Sequence, residues 1–173
     1  MVLSNGTAAG TDVVVIRVKE WLTAWYGEEV WANEDGTVFR VPVPGATYID
    51  VVIETPEEAG EAPTVIHLYC VAMVDVRFSA KVGYALLKWN SRIIRGSFMI
   101  VPGRDKGLVD IVLKQSYPAG EVNREEFERA LISLGQVAED LFPRLLRRFG
   151  GKTAGSAYGY PAGDLADGGD SVH

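Results

Sequence analysis

From Thr64 to Val76 the chain reads TVIHLYCVAMVDV, rich in β-branched and aromatic residues and free of Gly and Pro. That composition is a strand's, and the strand it predicts is a long one. Ile66, Leu68, Cys70, Ala72 and Val74 share one face by strand alternation; Val65, Tyr69, Val71 and Met73 share the other. Both faces are largely apolar. The run therefore predicts an interior strand covered on both sides, or covered on one side by a partner molecule. A helix follows, with Ser79 as N-cap, Val82, Ala85, Leu86 and Trp89 as its apolar face and Asn90 at its end. A second apolar strand, Gly96 to Val101, comes next. The remaining elements are expected to pack around this strand–helix–strand unit.

Upstream, Thr11 or Asp12 is the expected N-cap of a helix running to about Tyr26 and stopped by Gly27. Val14, Val18, Trp21, Leu22 and Trp25 form its apolar face. Trp31 falls in a short connection, and Glu34-Asp35-Gly36 reads as a turn. Two strands are expected at Thr37 to Val41 and Thr47 to Glu54, joined by a turn at Val43-Pro44-Gly45-Ala46. The acidic loop TPEEAGEAP leads from them into the long strand, which completes a three-stranded meander. Downstream, Gly96 to Val101 and Leu108 to Gln115 form a hairpin, and Ser116 to Val122 is a Pro/Gly loop. Asn123 and Glu126 have capping-box spacing ahead of a helix carrying Phe127, Ala130, Leu131, Leu134, Val137, Ala138, Leu141 and Leu145 on one face. Pro143 is expected to kink that helix or begin a separate last turn. Gly150-Gly151 ends it. The expected fold class is α+β, in the order α-βββ-α-ββ-α, an antiparallel sheet with helices. Residues 1–11 are expected to be a mobile N-terminus, 12–151 a single domain and 152–173 a disordered Gly/Asp-rich tail.

A length of 173 residues suits one core, and a net charge of −6 argues against a nucleic-acid partner, whose phosphates demand clustered cations. The single cysteine, Cys70, permits no intramolecular disulfide. The N-terminus has no signal-peptide pattern, and no apolar segment approaches the roughly twenty residues of a membrane helix. A cytoplasmic protein with no membrane partner is expected.

Chemistry-bearing constellations are sparse. The histidines, His67 and His173, have no Cys or His at metal-ligand spacing, so neither a metal nor a cofactor is implied. Cys70 reads as a buried thiol and His67 as a hydrogen-bonded structural residue. Gly151-Lys152-Thr153 imitates the end of a phosphate loop, but Leu146 stands where its first glycine belongs. An enzyme would need a pocket in which His67 converges with Tyr69, Tyr48 or Asp50. The four tryptophans, Trp21, Trp25, Trp31 and Trp89, are either core or the lining of a groove or dimer contact. The basic group Arg92, Arg95, Arg104 and Lys106 is either a solvated rim or a docking patch for acidic partners.

The element order, together with several short motifs, resembles the type III secretion chaperone fold shared with the YbjN family of small bacterial proteins. The motifs are Trp21-Leu22, Glu34-Asp35-Gly36, Val41-Pro42, Leu86-Leu87-Lys88-Trp89-Asn90, Ala138-Glu139-Asp140, Pro143-x-Leu145 and Gly150-Gly151. Trp89 departs from the pattern, standing where a smaller aliphatic is common. The last helix resembles that of actinobacterial members. The resemblance implies a non-catalytic, usually dimeric, peptide- or protein-binding chaperone whose client lies along apolar sheet and helix surface, hydrogen-bonded to strand edges. Client contacts are then expected at Trp25, Tyr26, Trp31, Val109, Ile111 and Leu113, and a homodimer contact around Trp89, Ile93 and Phe98. The competing expectations are a regulatory or structural dimeric module working through its acidic tail, and an enzyme with an unrecognised site.

Overall fold

The long apolar run folds as a strand of thirteen residues, β4 (Val65–Arg77), in the interior of a six-stranded antiparallel sheet of order β1-β2-β3-β4-β6-β5. The computed structural model describes residues 6–43, 47–55 and 63–158. In chain order the elements are α1 (Gly6–Tyr26), β1 (Trp31–Ala32), β2 (Val38–Val43), β3 (Thr47–Glu54), β4, α2 (Ala80–Asn90), β5 (Ser97–Pro102), β6 (Leu108–Pro118), α3 (Arg124–Phe149) and α4 (Ala154–Tyr158). The expected α+β order is present, with β1 and α4 in addition. The meander is β2-β3-β4 and the hairpin is β5-β6.

One core holds the fold together. Phe39 and Val41 of β2, Ile49 and Val51 of β3, Leu68 and Cys70 of β4 and Ile111 and Leu113 of β6 meet Val18 and Leu22 of α1, Leu86 of α2 and Phe127, Leu134 and Phe142 of α3. The α3 N-terminus is built as its residues demand: the Asn123 side chain accepts from the Glu126 amide at 2.9 Å, and the Glu126 carboxylate accepts from the Asn123 amide at 3.2 Å. Ser79 caps α2 by accepting from the Val82 amide. The helix Arg124–Phe149 runs through Pro143 without interruption, so no separate last turn forms.

Several boundaries differ from expectation. The first helix begins at Gly6, ahead of Thr11 and Asp12, and Trp31 lies in a strand paired with Arg40. β6 continues through Ser116 to Pro118 because β4 is long enough to pair with it, Val65 lying opposite Pro118. In β4, register shifts between Val71 and Val76 carry Met73 to the core side, opposite Ile111, where alternation places it on the outer face. Lys152, expected in the tail, is part of the folded body. Beyond Cys70, where β3 stops pairing, Val74 and Lys152 exchange two backbone hydrogen bonds, both of 2.9 Å. Gly151 makes this approach possible: its φ is +91°, and a Cβ there would stand 2.7 Å from the Val74 carbonyl oxygen. Asp75, beside the shift, has a φ of 56° and accepts from Lys152 Nζ at 2.9 Å. The turn at 44–46, most of the acidic loop at 56–62, residues 1–5 and the tail beyond 158 lie outside the described residues.

Candidate interaction surfaces

Helices α1, α2 and α3 supply the core on one face of the sheet. Residues directly opposite in antiparallel pairs share a face, so the register defines rows across the sheet. The row Val41, Ile49, Cys70, Leu113 and Phe98 is buried throughout, beneath the helices. The neighbouring row lies on the outer face and crosses all six strands: Trp31, Arg40, Asp50, Tyr69, Lys114 and Ser97. Its chemistry is paired internally. Arg40 grips Asp50 through Nε to Oδ1 at 2.6 Å and Nη2 to Oδ2 at 2.8 Å, and its guanidinium lies 3.9 Å from the Tyr48 ring centroid and 5.8 Å from that of Trp31. Lys114 Nζ lies 5.1 Å from the Tyr69 ring centroid.

His67, one row further on, pairs its Nδ1 with Ser116 Oγ at 2.8 Å and faces Glu54 at 3.4 Å. Burial and the Lys114 ammonium hold its pKa below the ordinary 6.5, and Glu54 acts in the opposite direction. Glu54 is exposed and solvent screens it, so burial decides the direction. A depression of about 290 Å³ lies at Arg95, Gly96, Gln115, Ser116 and Tyr117, next to His67 through Ser116. A second, of about 20 Å³, lies at Val74, Asp75, Arg104, Asp110 and Ala157. The first is lined by polar groups that bond one another, Tyr117 donating to the Gln115 side chain and Gln115 to the Arg95 carbonyl. Among the described residues no group of three or more His, Cys, Asp or Glu is placed to hold a metal ion. No described helix is long and apolar enough to cross a membrane.

The expected site residues scatter. Trp25 packs half-buried between the Phe127 ring at 6.1 Å and the Arg124 guanidinium at 5.5 Å, which makes it part of the α1–α3 contact. Tyr26 is half-buried beside it, its pKa raised by burial and by Glu128. Trp31 is exposed, as a groove residue must be. Ile111 and Leu113 are fully buried in the protomer and Val109 packs half-buried against the same core, so this strand face is the inner one and offers no surface to a client. Phe98, expected at a dimer contact, is buried 6.4 Å from the Phe142 ring; Trp89 and Ile93 are half-buried against the core. A strand's apolar face buries under its own helices, and the apolar side of β6 does so here.

Asparagine and proline limit further pairing on the edge strand β5 and on the flank of β2 beside the two-residue edge strand β1. On β5, the Asn90 side-chain amide accepts from the Phe98 N–H at 2.6 Å and donates to the Phe98 carbonyl at 3.1 Å, so α2 supplies a substitute strand partner. Two residues on, past Ile100, Pro102 has no N–H to offer. On β2, Asn33 takes the Val38 N–H on its side-chain oxygen at 3.0 Å and gives its own amide to the Val38 carbonyl. Arg40 pairs with Trp31, and Pro42 again lacks a donor. On β5 these contacts leave Ile100 as the outward N–H between Phe98 and Pro102.

Exposed large apolar side chains are most concentrated on α2 and its flanks, with others at Val13, Ile16, Trp31 and Ile132. Tyr84 and Leu87 are each 70% exposed and Ile94 is 98% exposed. The Phe78 ring lies over Gly83, where an added Cβ would stand 3.9 Å from it, and is exposed as well. The sequence signal for this surface was available: Tyr84 and Leu87 fall outside the apolar stripe of α2, on its opposite side.

The fold has a solved counterpart. The chain is similar to the crystal structure of YbjN from E. coli, described as a candidate transcription regulator, with a TM-score of 0.57, 14% identity, and coverage of 78% of this chain and 93% of that one. The likeness is one of fold. No family model matches the sequence, and no curated protein matches it.

Proposed function

We propose that this protein is a non-catalytic adaptor of chaperone type that holds a segment of a partner protein on the outward face of α2. The observation that carries this reading is the collection of Phe78, Tyr84, Leu87 and Ile94 along one helix and its flanks, in a fold that buries its other α2 apolar residues, Val82, Ala85 and Leu86. Large apolar groups gathered on one surface are the usual mark of a protein contact. The Asn90 side chain occupies the Phe98 backbone pair of the edge strand β5, which supports side-chain recognition over strand addition there.

The test is cross-linking capture from the native extract with the full chain, beside a Tyr84→Ser, Leu87→Ser double variant. Partners held by the wild type and lost by the variant support the proposal; an identical set from both removes it. Self-association is a separate component. Sedimentation of the full chain measures it, and a single-protomer mass would remove it.

A further inference from the structure

The α2 surface is as unusual in charge as in exposure. Between Asp75 and Asp105 the chain carries Arg77, Lys81, Lys88, Arg92, Arg95 and Arg104, and no Asp or Glu, in a protein whose net charge is −6. All of these cations are exposed. None of Arg77, Lys81, Lys88, Arg92 and Arg95 makes an ion pair with a described carboxylate; the pairs formed use Arg40, His67, Arg129 and Lys152. Lys81, Lys88, Arg92 and Arg95 thus share α2 and its flank with the exposed Tyr84, Leu87 and Ile94.

The two kinds of group are interleaved. Lys81, Tyr84 and Lys88 recur at three- and four-residue steps and so lie on one side of α2, with Leu87 next to them. The inward side is taken by Val82, Ala85 and Leu86. Phe78 sits over Gly83, one turn before Leu87, and Ile94 stands between Arg92 and Arg95 in the following segment.

We infer that the occupant of this surface is an acidic amphipathic protein segment, one that places Asp or Glu beside two or three large apolar side chains. This rests on the adaptor reading above and adds the partner's chemistry. Complementary charge steers such a segment to α2 and sets its register, and the apolar anchors hold it. A second copy of this chain fits less well, since a two-fold contact through α2 sets Lys81 and Lys88 against their own kind. An anionic bilayer calls for a continuous apolar sector with the cations on a separate face, and here they share the outward face. Nucleic-acid phosphates match the cations but leave Leu87 and Ile94 without a role.

The experiment is fluorescence anisotropy on the full chain with four probes. These are a labelled peptide alternating Glu with Leu and Phe at helical spacing, its Glu→Gln counterpart, a double-stranded oligonucleotide, and vesicles containing phosphatidylserine. The acidic peptide is expected to bind at least about tenfold more tightly than its neutral counterpart and to weaken as salt is raised. Lys81→Glu with Lys88→Glu should weaken it about tenfold, and Leu87→Ser by a similar factor. These residues are exposed, so the variants are expected to keep the wild-type circular dichroism, which is checked first. Equal binding of both peptides, lost on Leu87→Ser and untouched by the charge reversals, would overturn the acidic-partner inference and leave the adaptor standing. Binding of neither peptide, or tighter binding to vesicles or to the oligonucleotide, would overturn both.

Discussion

Leu113 and Lys114 are neighbours in sequence and members of two adjacent rows of the same sheet, yet they live in different environments. Leu113 belongs to the row that ends at Phe98 and is fully buried beneath the helices. Lys114 belongs to the row from Trp31 to Ser97 on the other face, held by an Arg40–Asp50 pair and three cation–ring contacts. On the inner face, exclusion of water from apolar surface stabilises the fold and tolerates no substitution of shape. On the outer face, polar groups satisfy one another and solvent shares the work. An aromatic on the outer face is therefore a poor guide to a binding site here: the buried Tyr48 and the half-buried Tyr69 are occupied by the chain's own cations.

The contrast is open to direct challenge. Leu113→Ala should destabilise the protein by about 3 kcal/mol in urea unfolding, whereas Lys114→Ala should shift it by no more than about 0.5 kcal/mol. Similar values for the two would mean that the outer face is covered in solution. Gly151→Ala tests the stitch at the far end of β4. With φ at +91° and the Val74 carbonyl at 2.7 Å from the new Cβ, a loss of about 2 kcal/mol is expected, accompanied by faster amide exchange at Val74. Asn90→Ala should cost about 1 kcal/mol and expose the Phe98 backbone pair. The sharper readout is association: sedimentation should show concentration-dependent oligomers in the variant beyond those of the wild type, and unchanged mass would mean that Asn90 does not guard the edge.

The smallest effect is the pH dependence of His67. Its folded pKa lies below 6.5, so the unfolded chain binds the proton more readily. Its contribution is complete above the unfolded value and is lost as pH falls through the folded one. The urea midpoint should therefore drop between about pH 7 and about pH 5, by less in His67→Gln than in the wild type. An identical drop in both would place the effect on other groups.

Much of the fold was legible because its signals are local. The capping pair Asn123–Glu126, the Ser79 cap, the Asn90 terminus and the alternation of β3 each depend on residues a few positions apart, and each element formed where expected. Pro143 was legible as a residue but not in its effect, since α3 runs on through it. The candidate surface was half-legible. The cation run and the outward positions Tyr84 and Leu87 stand in the sequence, while the apolar strand faces drew attention away from them.

Composition and periodicity determined the number and kind of major elements, the antiparallel pairings of β2-β3-β4 and β5-β6, and the apolar faces of the helices, because these follow from neighbours along the chain. Only tertiary structure decided which face of β6 lies inward, since both faces of β4 are apolar and helix contact selects between them. It also decided that β5 lies at an edge, with the Asn90 side chain on its Phe98 backbone pair. Lys152 leaves the tail for Val74 for the same reason: β3 ends early and the backbone groups of β4 require a partner that lies 78 residues along the chain.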